Sequence, residues 1–302
     1  MAPGRTRDHA AVRVAALTVG IIAALPIGYL IWRSIEYGLA PSIDIATSSR
    51  TIGLLGSTLL LAVAVTATSV AIAIPTAWLT VRTNLIGRKV WSVVTVLPLA
   101  IPTYVGSWAM IGALGPRGMF ADMLGVESIP SIYGFWGAWA SLTLFSYPYV
   151  LLTVRAAWIR LDPSLEEASL LLGRSSWHTF RSIVWPQLRP AVNSGALLVA
   201  LYSLSDFGAV AMMRYDTFTR EIYLQYRGAL ERGASAVLGL VLVMLTVSVL
   251  TSEQRLRKRH DMHRLHGSGA RDQRLVELKR LQFPALASLG ILSTLALAVP
   301  LG

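Results

Sequence analysis

Long apolar runs separated by short polar stretches dominate the pattern along this chain. A helix that crosses a membrane needs about 20 predominantly apolar residues. Internal prolines such as Pro75 and Pro148 do not argue against spanning helices, because neighbouring helices can satisfy the freed backbone groups. The pattern therefore predicts an all-α polytopic membrane protein with about six transmembrane helices and a seventh, C-terminal span. The predicted spans lie near residues 12–32, 54–80, 90–113, 132–154, 190–212, 234–251 and 284–302.

The composition supports lipid as the solvent for most of this chain. Hydrophobic residues make up 54% of the 302 residues and charged residues only 14%, whereas about a quarter of the residues in a soluble domain are charged. The sequence contains no cysteine. A disulfide framework, a thiolate metal site and a cysteine nucleophile are therefore excluded.

The distribution of the basic residues indicates how the chain is oriented in the membrane. The formal net charge is +11, and cytoplasmic loops of membrane proteins carry an excess of Lys and Arg. A cytoplasmic N-terminus places 20 of the 27 Lys and Arg residues inside and 7 outside. We therefore expect that orientation, contact with membrane lipid and no nucleic-acid partner. The first apolar run imitates a signal peptide, but it continues to Trp32 without a cleavage signal, which favours an uncleaved span.

A polar segment, residues 159–190, interrupts the apolar runs and predicts two short helices around a turn. Asp162 is suited to cap a helix whose first turn contains Pro163. Gly173 is suited to end that helix, because a left-handed backbone costs glycine nothing. A second short helix follows at about 176–184, and Pro186 marks the return to the membrane. We call residues 159–190 the polar hairpin.

The spacing inside the polar hairpin carries a family resemblance. Glu167-Ala168-Ser169 is followed by three residues and Gly173, and after nine more residues by Ile183-Val184-Trp185-Pro186. This spacing resembles the EAA loop of importer-type ABC transporter permeases, although Ser169 replaces Ala and Trp185 replaces Leu. The resemblance implies an ATPase-docking loop on the cytoplasmic side. The docking residues that it implies are Glu166, Glu167, Ala168, Ser169, Gly173, Ile183 and Pro186.

The same resemblance implies the partners of the chain. The sequence has no phosphate-binding Gly-x-x-x-x-Gly-Lys-Ser/Thr loop, so ATP hydrolysis would belong to a separate ATP-binding subunit. A periplasmic or lipid-anchored solute-binding protein would deliver the solute to a permease in the bacterial inner membrane. We expect no catalytic site, resident metal or cofactor. Two alternatives stay open, an interfacial hairpin without a partner and a channel or ion-coupled secondary carrier.

Four shorter motifs narrow the resemblance to ferric-iron importer permeases. They lie at 97–106, 114–118, 205–208 and 218–223, within a stretch of about 95–230. Thiamine, phosphonate, sulfate and polyamine permeases share this architecture and remain alternatives for the cargo.

The iron group also resembles two fused halves, which suggests a division of this chain. We expect a permease half at 1–252, a basic cytoplasmic linker at 253–283 and the first span of a second half at 284–302. The second half would be missing through truncation, or supplied by another polypeptide or another copy.

Two further features allow two interpretations each. Asp206 lies near the outer end of the fifth predicted span, where an ionisable residue either lines a pathway or stabilises a helix end through Tyr202, Ser203 or Ser205. The run His260-x-x-His263-x-x-His266 lies in the basic linker. It offers three imidazoles to a metal but lacks a completing carboxylate or thiolate, and basic linkers more often contact anionic lipid.

Overall fold

The computed structural model describes residues 5–228, 232–258 and 275–299. The described residues are helical except for loops and one isolated parallel bridge between Thr83 and Val276, which confirms the all-α class. The helices are α1 (Arg5–Tyr37), α2 (Leu39–Thr47), α3 (Ser49–Arg82), α4 (Arg88–Val94), α5 (Thr103–Leu114), α6 (Met119–Leu124), α7 (Phe135–Ile159), α8 (Pro163–Leu171), α9 (Ser176–Thr179), α10 (Trp185–Ser205), α11 (Gly208–Met212), α12 (Phe218–Gly228), α13 (Gly233–Lys258) and α14 (Gln282–Ser293).

The core lies where α7 packs between α3 and α10. Val65 of α3, Val150 of α7 and Val199 of α10 are fully buried there. Small residues allow the helices to approach closely, as is usual in membranes. A Cβ at Gly195 of α10 would lie 2.7 Å from the Cα of Val150. The central helix α7 therefore has neighbours on most of its surface.

The first helix, α1, is peripheral by comparison. In the most apolar stretch of 18 residues in α1, no residue is buried, whereas 56% of the residues in the corresponding stretch of α7 are buried. It packs along α13, where Gly233 lies against Tyr37 and Gly239 lies against Leu30. The remaining apolar surface of α1 is suited to a hydrocarbon solvent rather than to water.

Five described helices are long and apolar enough to cross a membrane, namely α1, α3, α7, α13 and the one that includes α14. A sixth candidate is the pair formed by residues 88–100 and 103–124, which is bent by 98°. The sequence predicted seven spans. The difference is α10. At 1.5 Å per residue it is about 31 Å long, enough to cross a membrane, but Gln187, Arg189 and Asn193 in its first turns make it less apolar than the other candidates.

The bent pair of helices occupies the region of the span predicted near 90–113. After α4, a short 3₁₀ helix (Leu97–Ala100) contains Pro98, and Pro102 precedes α5. Two prolines so close together interrupt the helical hydrogen-bond ladder twice. Non-helical backbone is tolerated at membrane depth only inside protein or beside a water-filled cavity. Here the buried Tyr147 hydroxyl donates to the carbonyl of Thr95 at 2.6 Å, which satisfies part of the break.

Candidate functional site

The polar hairpin has the predicted helix–glycine–helix geometry. The Asp162 carboxylate caps α8 by accepting the N–H of Ser164 at 2.9 Å, and Pro163 occupies the first turn. Gly173 ends the helix with a φ of +78°, a left-handed conformation that favours glycine. The second arm, α9, continues through a π-helical turn (Phe180–Val184) directly into α10. The hairpin is therefore rigidly continuous with a long helix on one side and close to the end of α7 on the other.

The two residues that depart from the EAA pattern both make contacts inside the polar hairpin. The Ser169 hydroxyl shares a buried hydrogen bond of 2.8 Å with the Thr179 hydroxyl, which alanine at position 169 would lose. The ring of Trp185 lies 6.4 Å from that of Phe180, which stacks on Trp158 at 6.5 Å. Ser169 therefore joins the two arms, and Trp185 packs against Phe180, which contacts the end of α7.

The tip of the hairpin presents an unusually exposed apolar surface. The side chains of Leu171 and Leu172 are 88% and 82% exposed, and Trp177 is also exposed. Glu167 and Ala168 are exposed on the preceding turns. Apolar side chains grouped on a polar segment mark an interaction surface more often than an isolated exposed leucine does. We call this group the hairpin tip.

The predicted docking residues separate into two groups by exposure. Glu167, Ala168, Gly173 and Pro186 are exposed, and Ile183 is partly buried. Ser169 is buried against Thr179, as described above. Glu166 points away from the tip and forms an ion pair with Arg82 at the end of α3. Docking by any of the seven remains a prediction, and the exposed group is best placed for it.

The Arg82–Glu166 pair is a feature that the sequence did not indicate. Their side chains are only 9% and 16% exposed. Burial raises the pKa of Glu166 even though the Arg82 charge acts in the opposite direction. Arg82 is one of the basic residues that indicate a cytoplasmic N-terminus, and its ion pair also holds the hairpin against the end of α3.

The far end of α10 contains a second buried polar group. The Asp206 carboxylate accepts the Thr103 hydroxyl at 2.5 Å and the N–H of Ala209 at 2.8 Å. Ser203 and Ser205 instead donate to carbonyls of α10, so the predicted helix-end role is served by different partners. A Cβ at Gly208 would lie 2.6 Å from the Cβ of Tyr104. The break before α5 and the break after α10 thus meet at this point, and a pathway role for Asp206 stays a prediction.

The same end of the bundle carries an ion pair between α3 and α12. Arg50 donates to the buried Glu221 carboxylate at 2.7 Å, and Gln225 donates to the other carboxylate oxygen at 3.0 Å. Burial alone would raise the pKa of Glu221, but these bonds and the nearby positive charges outweigh it and hold the pKa below its ordinary value of 4.5. Glu221 is therefore structural rather than a solvated loop charge.

The lowered pKa predicts a loss of stability in acid. Because the folded-state pKa lies below the unfolded value, the stabilisation is present above about pH 4.5 and disappears as the pH falls through the folded-state pKa. We expect the ion pair to contribute about 1 kcal/mol to the free energy of unfolding, the upper end of the range for exposed pairs, because Arg50 is exposed. Thermal unfolding in detergent between pH 7 and pH 3 measures this, with Glu221→Gln removing the acid-dependent part and the exposed Asp44→Asn retaining it. An unchanged profile for Glu221→Gln would contradict the assignment.

Among the described residues, no group of three or more His, Asp or Glu side chains could hold a metal ion. His260, His263 and His266 lie outside the described residues, so both interpretations of that run stay open.

Comparisons with known proteins agree on one family. The profile of the family described as "Binding-protein-dependent transport system inner membrane component" matches residues 69–261. The Fe(3+)-transport system permease protein FbpB 2 of Haemophilus influenzae is 35% identical over 237 residues, which are 78% of this chain and 44% of that protein. The sulfate transport system permease protein CysT of Escherichia coli is 26% identical over 80% of this chain and 91% of that protein. The match therefore spans less than half of the first relative and most of the second.

Two solved structures share the fold. A chain of a bacterial alginate ABC transporter, crystallised in complex with an alginate pentasaccharide-bound periplasmic protein, superposes with a TM-score of 0.64 at 15% identity, covering 84% of this chain and 96% of that chain. A chain of the MetNI methionine ABC transporter in an inward-facing conformation gives a TM-score of 0.51 at 19% identity, covering 71% and 99%. At these identities the likeness concerns the fold alone.

Proposed function

Because the chain belongs to the family of binding-protein-dependent transport system inner membrane components, we propose that it forms the membrane path of an ATP-driven importer of ferric iron. Membership sets aside the channel and secondary-carrier alternatives. An external binding protein delivers the solute, and an ATP-binding subunit on the cytoplasmic side supplies the energy. The N-terminus is cytoplasmic, and the membrane is the bacterial inner membrane. A second permease half, in the same or another polypeptide, completes the path.

The hairpin tip is the observation that carries this proposal. Its exposed leucines and carboxylate stand on a hairpin that continues into α10 through a helical turn and contacts α7 and α3. Closure of an ATPase pair can therefore move three long helices through one attached surface. A hairpin lying free on the bilayer would not need the buried ion pair or the buried Ser169–Thr179 bond.

Ferric iron is the cargo best supported by the sequence. The higher identity is to an iron permease, and the motifs at 97–106 and 205–208 resemble the iron group. The sulfate permease is the specific competitor, because its match covers nearly the whole length of that relative. The 253–283 linker and the span that begins at 284 are proposed as the connection to a second half.

Uptake by the native complex in proteoliposomes tests class and cargo together. The complex, with its binding protein outside and ATP inside, is supplied with radioactive ferric citrate or with radioactive sulfate. We expect iron uptake that requires hydrolysable ATP and no sulfate uptake. ATP-dependent uptake of sulfate without iron would overturn the cargo and keep the class. Iron uptake that is equal with and without ATP would overturn the class.

A further inference from the structure

The end of α3 is joined to a distant part of the chain by backbone pairing. The carbonyl of Arg82 accepts the N–H of Val276 at 2.8 Å, and the N–H of Asn84 donates to the carbonyl of Val276 at 3.1 Å. These bonds form the parallel bridge between Thr83 and Val276. Among the described residues it is the only such pairing, and it joins segments that are nearly 200 residues apart.

Side chains extend the same junction to the start of α14. The Asn84 carboxamide oxygen accepts the N–H of Leu278 at 3.0 Å and the Gln282 amide at 3.3 Å. Gln282 also donates to the carbonyl of Asn84 at 3.1 Å and accepts the N–H of Ile86 at 3.3 Å. Gln282 is the first residue of α14. The last helix therefore begins while it is attached to the loop that follows α3.

An apolar cluster packs beside the junction. Its buried members come from α3, the following loop, the 275–282 segment and α14, so these four parts of the chain pack against one another. The buried members are Leu79, Leu85, Leu278, Ala285 and Leu289.

Arg82 connects this junction to the polar hairpin. Its guanidinium pairs with Glu166 of the hairpin, while its carbonyl accepts the N–H of Val276. One residue therefore contacts the hairpin on one side and the segment leading to α14 on the other. Both contacts are buried or backbone-mediated, which makes them stiff compared with an exposed side-chain pair.

We propose that residues 82–86 form a shared anchor that moves α14 together with the polar hairpin when the ATPase acts. This rests on the proposed function of the hairpin. The anchor positions the last helix relative to the hairpin, and Asn84 is its main side-chain element. Movement of the hairpin then reaches α14 directly at the cytoplasmic end, in addition to passing through the core.

The absence of cysteine allows a clean spectroscopic test. Spin labels at Ser176→Cys in the hairpin and Phe283→Cys in α14, both exposed positions, report the distance between the two elements by double electron–electron resonance in liposomes. Asn84→Ala removes both acceptor bonds, whereas Asn84→Asp keeps a carboxyl oxygen in the same place. We expect a broadened distance distribution for Asn84→Ala and the unmodified distribution for Asn84→Asp. A narrow distribution in Asn84→Ala would overturn the anchor.

Transport provides the functional measurement. In the native complex, Asn84→Ala should bind the ATPase normally but move roughly tenfold less solute per ATP, as expected when about two neutral hydrogen bonds that couple the elements are lost. Asn84→Asp should restore the ratio. An unchanged ratio in Asn84→Ala overturns the proposal. If the unmodified chain fails to bind the ATPase, the proposed function is wrong. The distance measurement is made without the ATPase, so it still tests whether residues 82–86 hold α14 and the hairpin together.

A disulfide cross-link provides a second test of the anchor if the Asn84→Ala variant does not assemble. Paired strands lie about 4.8 Å apart, within the Cα separation of disulfides of about 4.4–6.8 Å, so Thr83→Cys with Val276→Cys can be oxidised. If the anchor moves as one body, the cross-linked complex transports as well as its reduced form. Loss of transport on oxidation, reversed by reductant, would show that the segments must separate and would overturn the proposal.

Discussion

Replacing Leu171 with glutamate is expected to abolish binding of the partner ATPase to the membrane complex. The side chain is 88% exposed at the hairpin tip, and burying a leucine in a partner contributes about 1.5–3 kcal/mol. A carboxylate buried at the proposed docking surface adds an unpaired charge. Together these effects predict binding that is roughly 100-fold weaker or worse. Titration of the ATPase onto the complex in nanodiscs measures the dissociation constant, and solute-stimulated ATPase activity should fall with it.

A matched control lies at the other end of the bundle. Leu124 of α6 is also exposed, at 67%, and Leu124→Glu should leave the dissociation constant unchanged. Glu167→Gln and Gly173→Ala probe the tip more gently. No atom would lie within 4 Å of a Cβ at Gly173, so its substitution acts through the left-handed backbone alone, at about 1–2 kcal/mol. Normal ATPase binding and uptake by Leu171→Glu would remove the docking assignment.

Separating the Arg82–Glu166 pair is expected to be the most damaging change for stability. Removal of one partner leaves the other charge buried, which costs about 3–5 kcal/mol. Arg82→Gln and Glu166→Gln should each lower the unfolding temperature in detergent. The double variant Arg82→Met with Glu166→Leu, which removes both charges and keeps apolar volume, should recover most of the loss. A double variant no more stable than the singles would contradict the electrostatic explanation.

The pH dependence of Arg82→Gln has a definite sign. Burial already raises the pKa of Glu166 above its ordinary value of 4.5, and removal of the positive charge raises it further. A carboxyl group whose folded-state pKa is raised favours the folded state most below its unfolded pKa, and that advantage is lost as the pH rises through the folded-state value. Relative to the unmodified protein, Arg82→Gln should therefore be less destabilised at pH 4 than at pH 7. Glu166→Gln should lack this pH dependence. Unfolding temperatures at the two pH values provide the check.

The parts of the structure that the sequence predicted are those fixed by neighbouring residues. Asp162, Pro163 and Gly173 act on their own turns of helix, so the cap, first turn and end of α8 could be located from their chemistry. The long apolar runs similarly predicted helices and lipid contact. These signals need no knowledge of which helix packs against which.

The missed features depend on pairs that are far apart in the chain. Arg82 meets Glu166 across 84 residues, and Thr103 meets Asp206 across 103. Nothing in the local sequence identifies such a partner, so the sequence of Arg82 and its neighbours indicates only the orientation of the chain in the membrane. The bend near 100 was missed for a related reason. Proline in a spanning helix permits a kink or a complete break, and the neighbours determine which occurs.

The meeting of the two breaks at Thr103 and Asp206 affects how easily the helix bundle can open at that end. Both helical ladders are already interrupted there, so parting α5 from the end of α10 does not require unwinding either helix. Two side-chain hydrogen bonds link them there, from the Thr103 hydroxyl to the Asp206 carboxylate and from the Tyr202 hydroxyl to the Thr103 hydroxyl, and a bond to a charged group contributes about 1.5–3 kcal/mol. Any separation of the two helices at this end would therefore move them as rigid pieces, each keeping its own hydrogen-bond ladder.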